Sequence, residues 1–228
     1  MAKGKSDKTA REEGNRNAAF ARGGHFSAEE IGANAPQTGK ARRAGKSAAR
    51  EIAYLALSVA LVTVCAWISL PVGEVPFTLQ TFAVALVGGL LGWKRGFAAI
   101  GVYVLMGLVG IPVFAGFKAG AAALAGATGG YIVGFVFAGL VSGLWKLFPV
   151  KNAAAKAGLA FAAMVTGLAV CYFFGTVWFI LLYNRGAADP VGVSSALAWC
   201  VLPYLVPDAV KLALAAVLCV RLQPFVRI

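Results

Sequence analysis

The stretch LVPDAVKLALAAVLCV, residues 205–220, has the apolar character of a membrane-crossing helix, yet it carries Asp208 and Lys211 three positions apart. A charge at the centre of a bilayer helix costs roughly 2.5–3.5 kcal/mol on insertion scales. Two charges together need a reason: mutual neutralisation, a place at the bilayer edge, or a ligand. Pro207, just before the acid, suits the first turn of a helix, where its missing N–H would have no partner. An acid in that turn also complements the positive end of the helix dipole. On this reading the pair is a cap with an i, i+3 ion pair. Against it, the neighbours are apolar and Lys211 falls in the bilayer half of the helix, where ionisable residues face a bundle interior or a cavity.

The rest of the chain supports a membrane setting. It has 228 residues, 60% of them hydrophobic and 13% charged, with a net charge of +12; soluble domains are about a quarter charged. Residues 1–51 hold eleven of the 21 Lys and Arg and six of the nine acids, and from Ile52 onward only Glu74, Asp189 and Asp208 are acidic. This divides the chain into a polar, basic tail over 1–48, expected to be disordered, and a membrane domain over 49–228. The tail has no apolar signal-peptide core, and its Gly-Lys-Ser at 45–47 lacks the first glycine of a phosphate loop, since position 40 is lysine. The basic residues form no stripe interleaved with aromatics, so nucleic acid is not an expected partner. Cys65, Cys171, Cys200 and Cys219 lie in or beside apolar stretches without a Cys-x-x-Cys, and His25 is the only histidine; this argues for packing thiols and against zinc.

Six apolar stretches follow the tail, at about 52–70, 77–93, 96–115, 129–148, 157–182 and 200–222. They predict an all-α integral membrane protein with six transmembrane helices, the second being short. With a cytoplasmic tail, the cytoplasmic segments hold Lys94, Arg95, Lys146, Lys151, Lys156, Arg221 and Arg227, against Lys118 and Arg185 outside. The positive-inside rule then places both termini in the cytoplasm and Asp208 and Lys211 near the outward end of the sixth helix. Gly88/Gly92, Gly92/Gly96, Gly126/Gly130, Gly130/Gly134 and Gly139/Gly143 have the small-xxx-small spacing that lets helix backbones approach. Ala49/Ala53 and Ala56/Ala60 share it on the first helix, where a contact inside the bundle and one between subunits fit equally well.

Two other features gather on the outward face. Thr78, Gln80 and Thr81 enter the second helix just after Pro76; for Gln80 a helix–helix hydrogen bond is the simpler reading. The glycine-rich IPVFAGFKAGAAALAGATGGY, residues 111–131, joins helices three and four and is long enough to be a lid. Phe114, Phe117 and Tyr131 could supply apolar walls.

VPFTLQTFAVALVGGLLG, GLVGIPVFAGFKAG, GATGGYIVGF and LPYLVPDAVKLALAAVL resemble, in order and spacing, the hallmark segments of the BioY family. Those proteins are the biotin-specific substrate-binding components of energy-coupling-factor (ECF) vitamin transporters. The resemblance covers about residues 50–222, with Pro207 standing where glycine is expected before the aspartate. It implies six helices, a pocket near the outer surface, a lid from the first and third loops, and biotin as transported ligand with no cofactor. It also implies a transmembrane coupling subunit and two cytoplasmic ATPase subunits as partners, in the cell membrane. The candidate substrate-binding residues are Asp208, Lys211, Gln80, Thr78, Phe114, Thr128 and Tyr131. Asp208 can accept ureido N–H bonds; Lys211 can donate to the ureido carbonyl or attract the carboxylate.

An intramembrane enzyme is disfavoured by the lack of H-E-x-x-H, of G-x-S-x-G and of a histidine in the apolar stretches, and by the scarcity of acids. The nearer alternatives are a component specific for another vitamin and a self-sufficient secondary transporter of a small carboxylate. The latter would be supported by inverted repeats with broken helices, which the sequence does not display. A purely structural membrane protein leaves the Asp208/Lys211 pair and the outward loop unexplained.

Overall fold

A computed structural model describes residues 38–71, 75–185 and 190–226, with side chains from residue 48. Of the tail expected to be disordered over 1–48, residues 1–37 lie outside the described residues, as do Glu74 and Asp189, and residues 38–48 are helical. Helix α1 runs Thr38–Trp67, starting well before the first apolar stretch. It is followed by a small antiparallel hairpin, β1 (Ser69–Leu70) with β2 (Phe77–Thr78), in which Ser69 faces Thr78 and Leu70 faces Phe77. Helices α2 (Gln80–Leu91) and α3 (Trp93–Leu108) are divided by Gly92, whose φ of 82° breaks the helical run.

The glycine-rich connection is more structured than a free loop: it contains a 3-10 turn at Ala115–Phe117 and a short helix α4 at Gly120–Ala125. Helix α5 (Gly129–Ser142) extends into a 3-10 turn at Leu144–Leu147, and α6 spans Ala153–Tyr183. Helix α7 (Val193–Cys200) precedes α8 (Leu202–Leu222). Each of the six apolar stretches thus contains a helix: α1, α2, α3, α5, α6 and α8. Among the described residues, three segments are long and apolar enough to cross a bilayer: Ala48–Trp67, Gly129–Leu147 and Ala153–Tyr183. At 12 residues α2 is about 18 Å long, short of the roughly 30 Å of hydrocarbon.

The helices meet where side chains are smallest. A Cβ on Gly88 would lie 2.3 Å from the Gly139 carbonyl oxygen, and one on Gly96 would lie 2.8 Å from the Gly88 Cα, so α2, α3 and α5 touch backbone to backbone. On α5, a Cβ on Gly130 would meet Trp178 at 2.2 Å, and one on Gly134 would meet the Cys171 Cα at 2.9 Å, which brings α6 equally close. Helix α2 is held between α5 and α8, and α8 also packs on α6. The four cysteines are buried as free thiols.

Helix α1 is different. Its Val62 and Ala66 are buried, but Ala49, Ala53, Ala56 and Ala60 are exposed. The spacing that glycine uses inside the bundle is therefore left free on this helix. Arg95 pairs with Glu51 at 2.5 Å, and the Trp67 indole donates to the Pro112 carbonyl at 2.9 Å. Between these two ties runs an apolar groove lined by Ala56, Val59 and Ala60 on one side and Val102 and Met106 on the other.

The start of α8 corrects the sequence reading. The helix begins at Leu202, with Pro203 in its opening positions and Pro207 inside it. Asp208 therefore lies beyond the first turn and is not a cap. Because Pro207 has no N–H, the Pro203 carbonyl lacks its usual helical partner. Starting the helix five residues earlier puts Tyr204, Asp208 and Lys211, at i, i+4 and i+7, on one face, and all three are buried.

Candidate substrate site

Asp208 and Lys211 do pair, with Lys211 Nζ donating to Asp208 Oδ1 at 2.7 Å and the two side chains only 9% and 4% exposed for Lys211 and Asp208. The ion pair foreseen as one alternative is therefore present, but it is not isolated. Thr81 Oγ1, on α2, donates to Asp208 Oδ1 at 3.0 Å, and the Tyr172 hydroxyl, on α6, donates to Oδ2 at 2.6 Å. Three elements thus orient one carboxylate. Oδ1 accepts twice and Oδ2 once, which leaves an acceptor position on Oδ2.

Lys211 is clasped from the other side by the hairpin. Its Nζ donates to the Thr78 carbonyl at 2.6 Å and lies 3.7 Å from the centroid of the Phe77 ring. A cation over an aromatic face is attracted by the ring quadrupole, more strongly where water is excluded. The Tyr204 hydroxyl donates to the Val75 carbonyl, and its ring stacks with Phe77 at 6.3 Å between centroids. The face of α8 thereby holds residues 75–78 through two main-chain carbonyls.

Beside this cluster are two neighbouring voids, each of about 50 Å³. Each is well below the roughly 300–1,000 Å³ of small-ligand pockets, so a vitamin-sized ligand requires the surrounding segments to move apart. The first is lined by Thr78, Thr81, Tyr131, Tyr172, Tyr204, Asp208 and Lys211. The second is lined by Thr78, Gln80, Phe114, Lys118, Thr128 and Tyr131. Thr78 and Tyr131 belong to both, so the seven candidate residues line two neighbouring voids.

Their individual roles differ. Gln80 makes the interhelical bond foreseen as its simpler reading, its amide donating to the Tyr103 hydroxyl at 2.8 Å while that hydroxyl donates to the Val113 carbonyl at 3.1 Å. Phe114, 2% exposed, meets Tyr103 edge to face, and it packs over Gly107, where a Cβ would come within 2.1 Å of its ring. Thr128 occupies the N-cap position of α5 without using its hydroxyl as a cap. The buried Tyr131 hydroxyl lies beside Thr176 and Cys200 without a well-formed hydrogen bond among the described residues. Phe117 does not form the expected wall: it is 62% exposed, at φ 58°, and stacks on Trp67 instead.

Tyr172, Tyr204 and Phe77 were missed by sequence reasoning. Tyr204 carried a usable signal, one helical turn before Asp208, which the late helix start concealed. Tyr172 lies 36 residues from its partner, and no local pattern links them.

Fold and site together define an all-helical, multi-pass membrane protein with a small cavity beside a buried ion pair. The solved structure of the S-component for biotin from an ECF-type ABC transporter has the same fold, with a TM-score of 0.68 and 26% identity, covering 78% of this chain and 93% of that one. The BioY family profile matches residues 37–228, and the chain belongs to that family. A relative from Thermotoga maritima, the biotin transporter BioY, is 39% identical over 176 residues, covering 76% of this chain and 96% of its own. Another, from Pyrococcus horikoshii and named a probable biotin transporter BioY, is 41% identical over 175 residues, covering 77% and 97%.

Proposed function

We propose that the chain is the substrate-binding membrane subunit of an ECF-type ABC transporter and captures biotin in the cavity beside Asp208 and Lys211. It is a transport protein and not an enzyme, a reading supported by its family and by its named relatives. The observation that carries the ligand assignment is the acceptor position left on Asp208 Oδ2 at the cavity edge. Biotin offers a ureido group with two N–H donors and one carbonyl, a thioether ring and a valerate carboxylate. One ureido N–H suits Oδ2, while Lys211, already held by Asp208 and Thr78, meets the carbonyl only as the hairpin adjusts. Tyr131, Thr128 and Gln80 supply further polar contacts, and Phe114 supplies an apolar wall.

The proposed topology is six membrane-crossing helices with both termini cytoplasmic, supported by the seven-to-two bias of Lys and Arg between the two sides. Residues 1–48 are then a cytoplasmic tail and 49–228 the transport domain. ATP-driven movement requires a transmembrane coupling subunit and two ATPase subunits, because the sequence carries no phosphate loop. The exposed alanine face of α1 suits the coupling subunit. Isothermal titration of the purified protein with biotin, thiamine and riboflavin tests the ligand. Saturable binding of biotin alone is expected, and binding of another vitamin in its place would overturn the assignment.

A further inference from the structure

We infer that Tyr103 is a positioning residue that turns the Gln80 amide so that it shows the cavity a hydrogen-bond acceptor, and that this acceptor takes the second N–H of the ligand's ureido head. The inference rests on the biotin reading and adds to it a residue outside the pocket wall that selects for a ligand with two donors. A ureido group carries its N–H donors on opposite sides of the carbonyl. With one of them on Asp208 Oδ2, the other is left buried without a partner unless a second acceptor is supplied. Gln80 borders the neighbouring void, but a glutamine amide can present either its carbonyl or its NH2. Which end it presents decides whether it attracts or repels a second N–H.

Tyr103 removes that choice. It is wholly buried on α3, lines neither void, and its hydroxyl meets two groups, the Val113 carbonyl at 3.1 Å and the Gln80 amide at 2.8 Å. A carbonyl can only accept, so the single hydroxyl proton is committed to Val113 and the phenol oxygen has to accept from Gln80. The NH2 end of the amide therefore faces Tyr103 on hydrogen-bonding grounds alone. Oε1 is turned the other way, and it receives no hydrogen bond among the described residues. The edge-to-face contact of the Tyr103 ring with Phe114, at 5.6 Å between centroids, keeps the phenol in place. Thr81, the next residue on α2, donates to Asp208 Oδ1 at 3.0 Å, so one turn of this helix carries the new acceptor and a support of the first.

The test titrates biotin and its two cyclic carbamate analogues, in each of which a different ureido N–H is replaced by a ring oxygen, into wild type, Tyr103→Phe and Gln80→Met. In wild type each analogue sets a lone pair against an acceptor, at Asp208 in one and at Gln80 in the other. Both should bind at least about tenfold more weakly than biotin. Tyr103→Phe frees the amide to rotate and offer its NH2 to the ring oxygen, so the penalty for one analogue should fall to about threefold or less while the other penalty stays. Gln80→Met should relieve the same analogue alone, and the double variant should relieve it no further. A Tyr103 that only supports the fold would weaken all three ligands by one factor; unchanged ratios, or equal relief of both analogues, would overturn the inference. Should Tyr103→Phe not fold, Gln80→Met decides: relief of one analogue upholds the acceptor, and unchanged ratios remove it. Wild type that binds none of the three ligands sinks the biotin reading itself, whereas biotin binding with wild-type ratios in the variants sinks this inference alone.

Discussion

Removing the buried charges one at a time and then together separates their structural role from their ligand role. Lys211→Met strips a carboxylate that is 4% exposed of its counter-charge, and breaking a buried pair this way costs about 3–5 kcal/mol. Asp208 keeps the Tyr172 and Thr81 hydroxyls, so the lower end applies, about 3 kcal/mol. At about 2–4 °C per kcal/mol for a chain of this size, the melting temperature should fall by about 6–12 °C. Asp208→Asn should cost less, because Lys211 retains the Thr78 carbonyl and the Phe77 face. The double variant removes both charges, and replacing a whole buried pair is often near neutral, so its stability should recover most of the loss. Affinity should behave otherwise. Losing a charge-assisted bond from Asp208 to a ligand N–H is worth about 1.5–3 kcal/mol, or roughly ten- to hundredfold, and the double variant should stay as weak as Asp208→Asn. Thermal unfolding and biotin titration on the same detergent preparations give both quantities. Recovery of both stability and near-wild-type biotin affinity in the double variant would refute the ligand role and leave the pair purely structural.

Three further outcomes follow from the packing. Gly88→Ala should destabilise by about 1–3 kcal/mol through overpacking against the Gly139 carbonyl, whereas Gly101→Ala, whose Cβ meets nothing within 4 Å, should be neutral or slightly stabilising in the same thermal scan. Ala53→Trp, on the exposed face of α1, should reduce co-purification of the coupling subunit while biotin affinity stays within about twofold; undiminished co-purification would move the contact elsewhere. Hydrogen exchange over residues 114–131 should slow when biotin is added, since this segment supplies Phe114, Lys118 and Thr128 to the cavity; equal protection with and without biotin would remove it as a lid.

What could be read from the sequence follows from how far each signal reaches along the chain. Six apolar stretches are local runs, and each contains a helix. The small-xxx-small pairs at Gly88, Gly96, Gly130, Gly134 and Gly139 mark where backbones touch, because only a missing Cβ permits that approach. The same spacing on α1 gives the opposite outcome, exposed alanines, and nothing in a four-residue spacing says what lies across from it. Phe117 shows a second limit. Its neighbour Gly116 at φ 68° and its own left-handed backbone turn it away from Phe114, a reversal that composition alone does not reveal.

The sequence singles out the residues that the structure gathers around Asp208, but not the bonds among them. Asp208 and Lys211 stand out because charge in an apolar run is expensive, Thr78 and Gln80 because they enter the second helix together, Tyr131 as an apolar wall, and Thr128 through the segment that resembles the family. How they act depends on residues far away in sequence. The Tyr172 hydroxyl takes one oxygen of Asp208, and Thr81 and Lys211 share the other, so the carboxylate is left with room for one more donor rather than two. The Thr78 carbonyl and Phe77 ring restrain the ammonium for which the sequence alone leaves both a ligand carbonyl and a ligand carboxylate open. A charge pair that neutralises itself and still lines a cavity is suited to a neutral polar group.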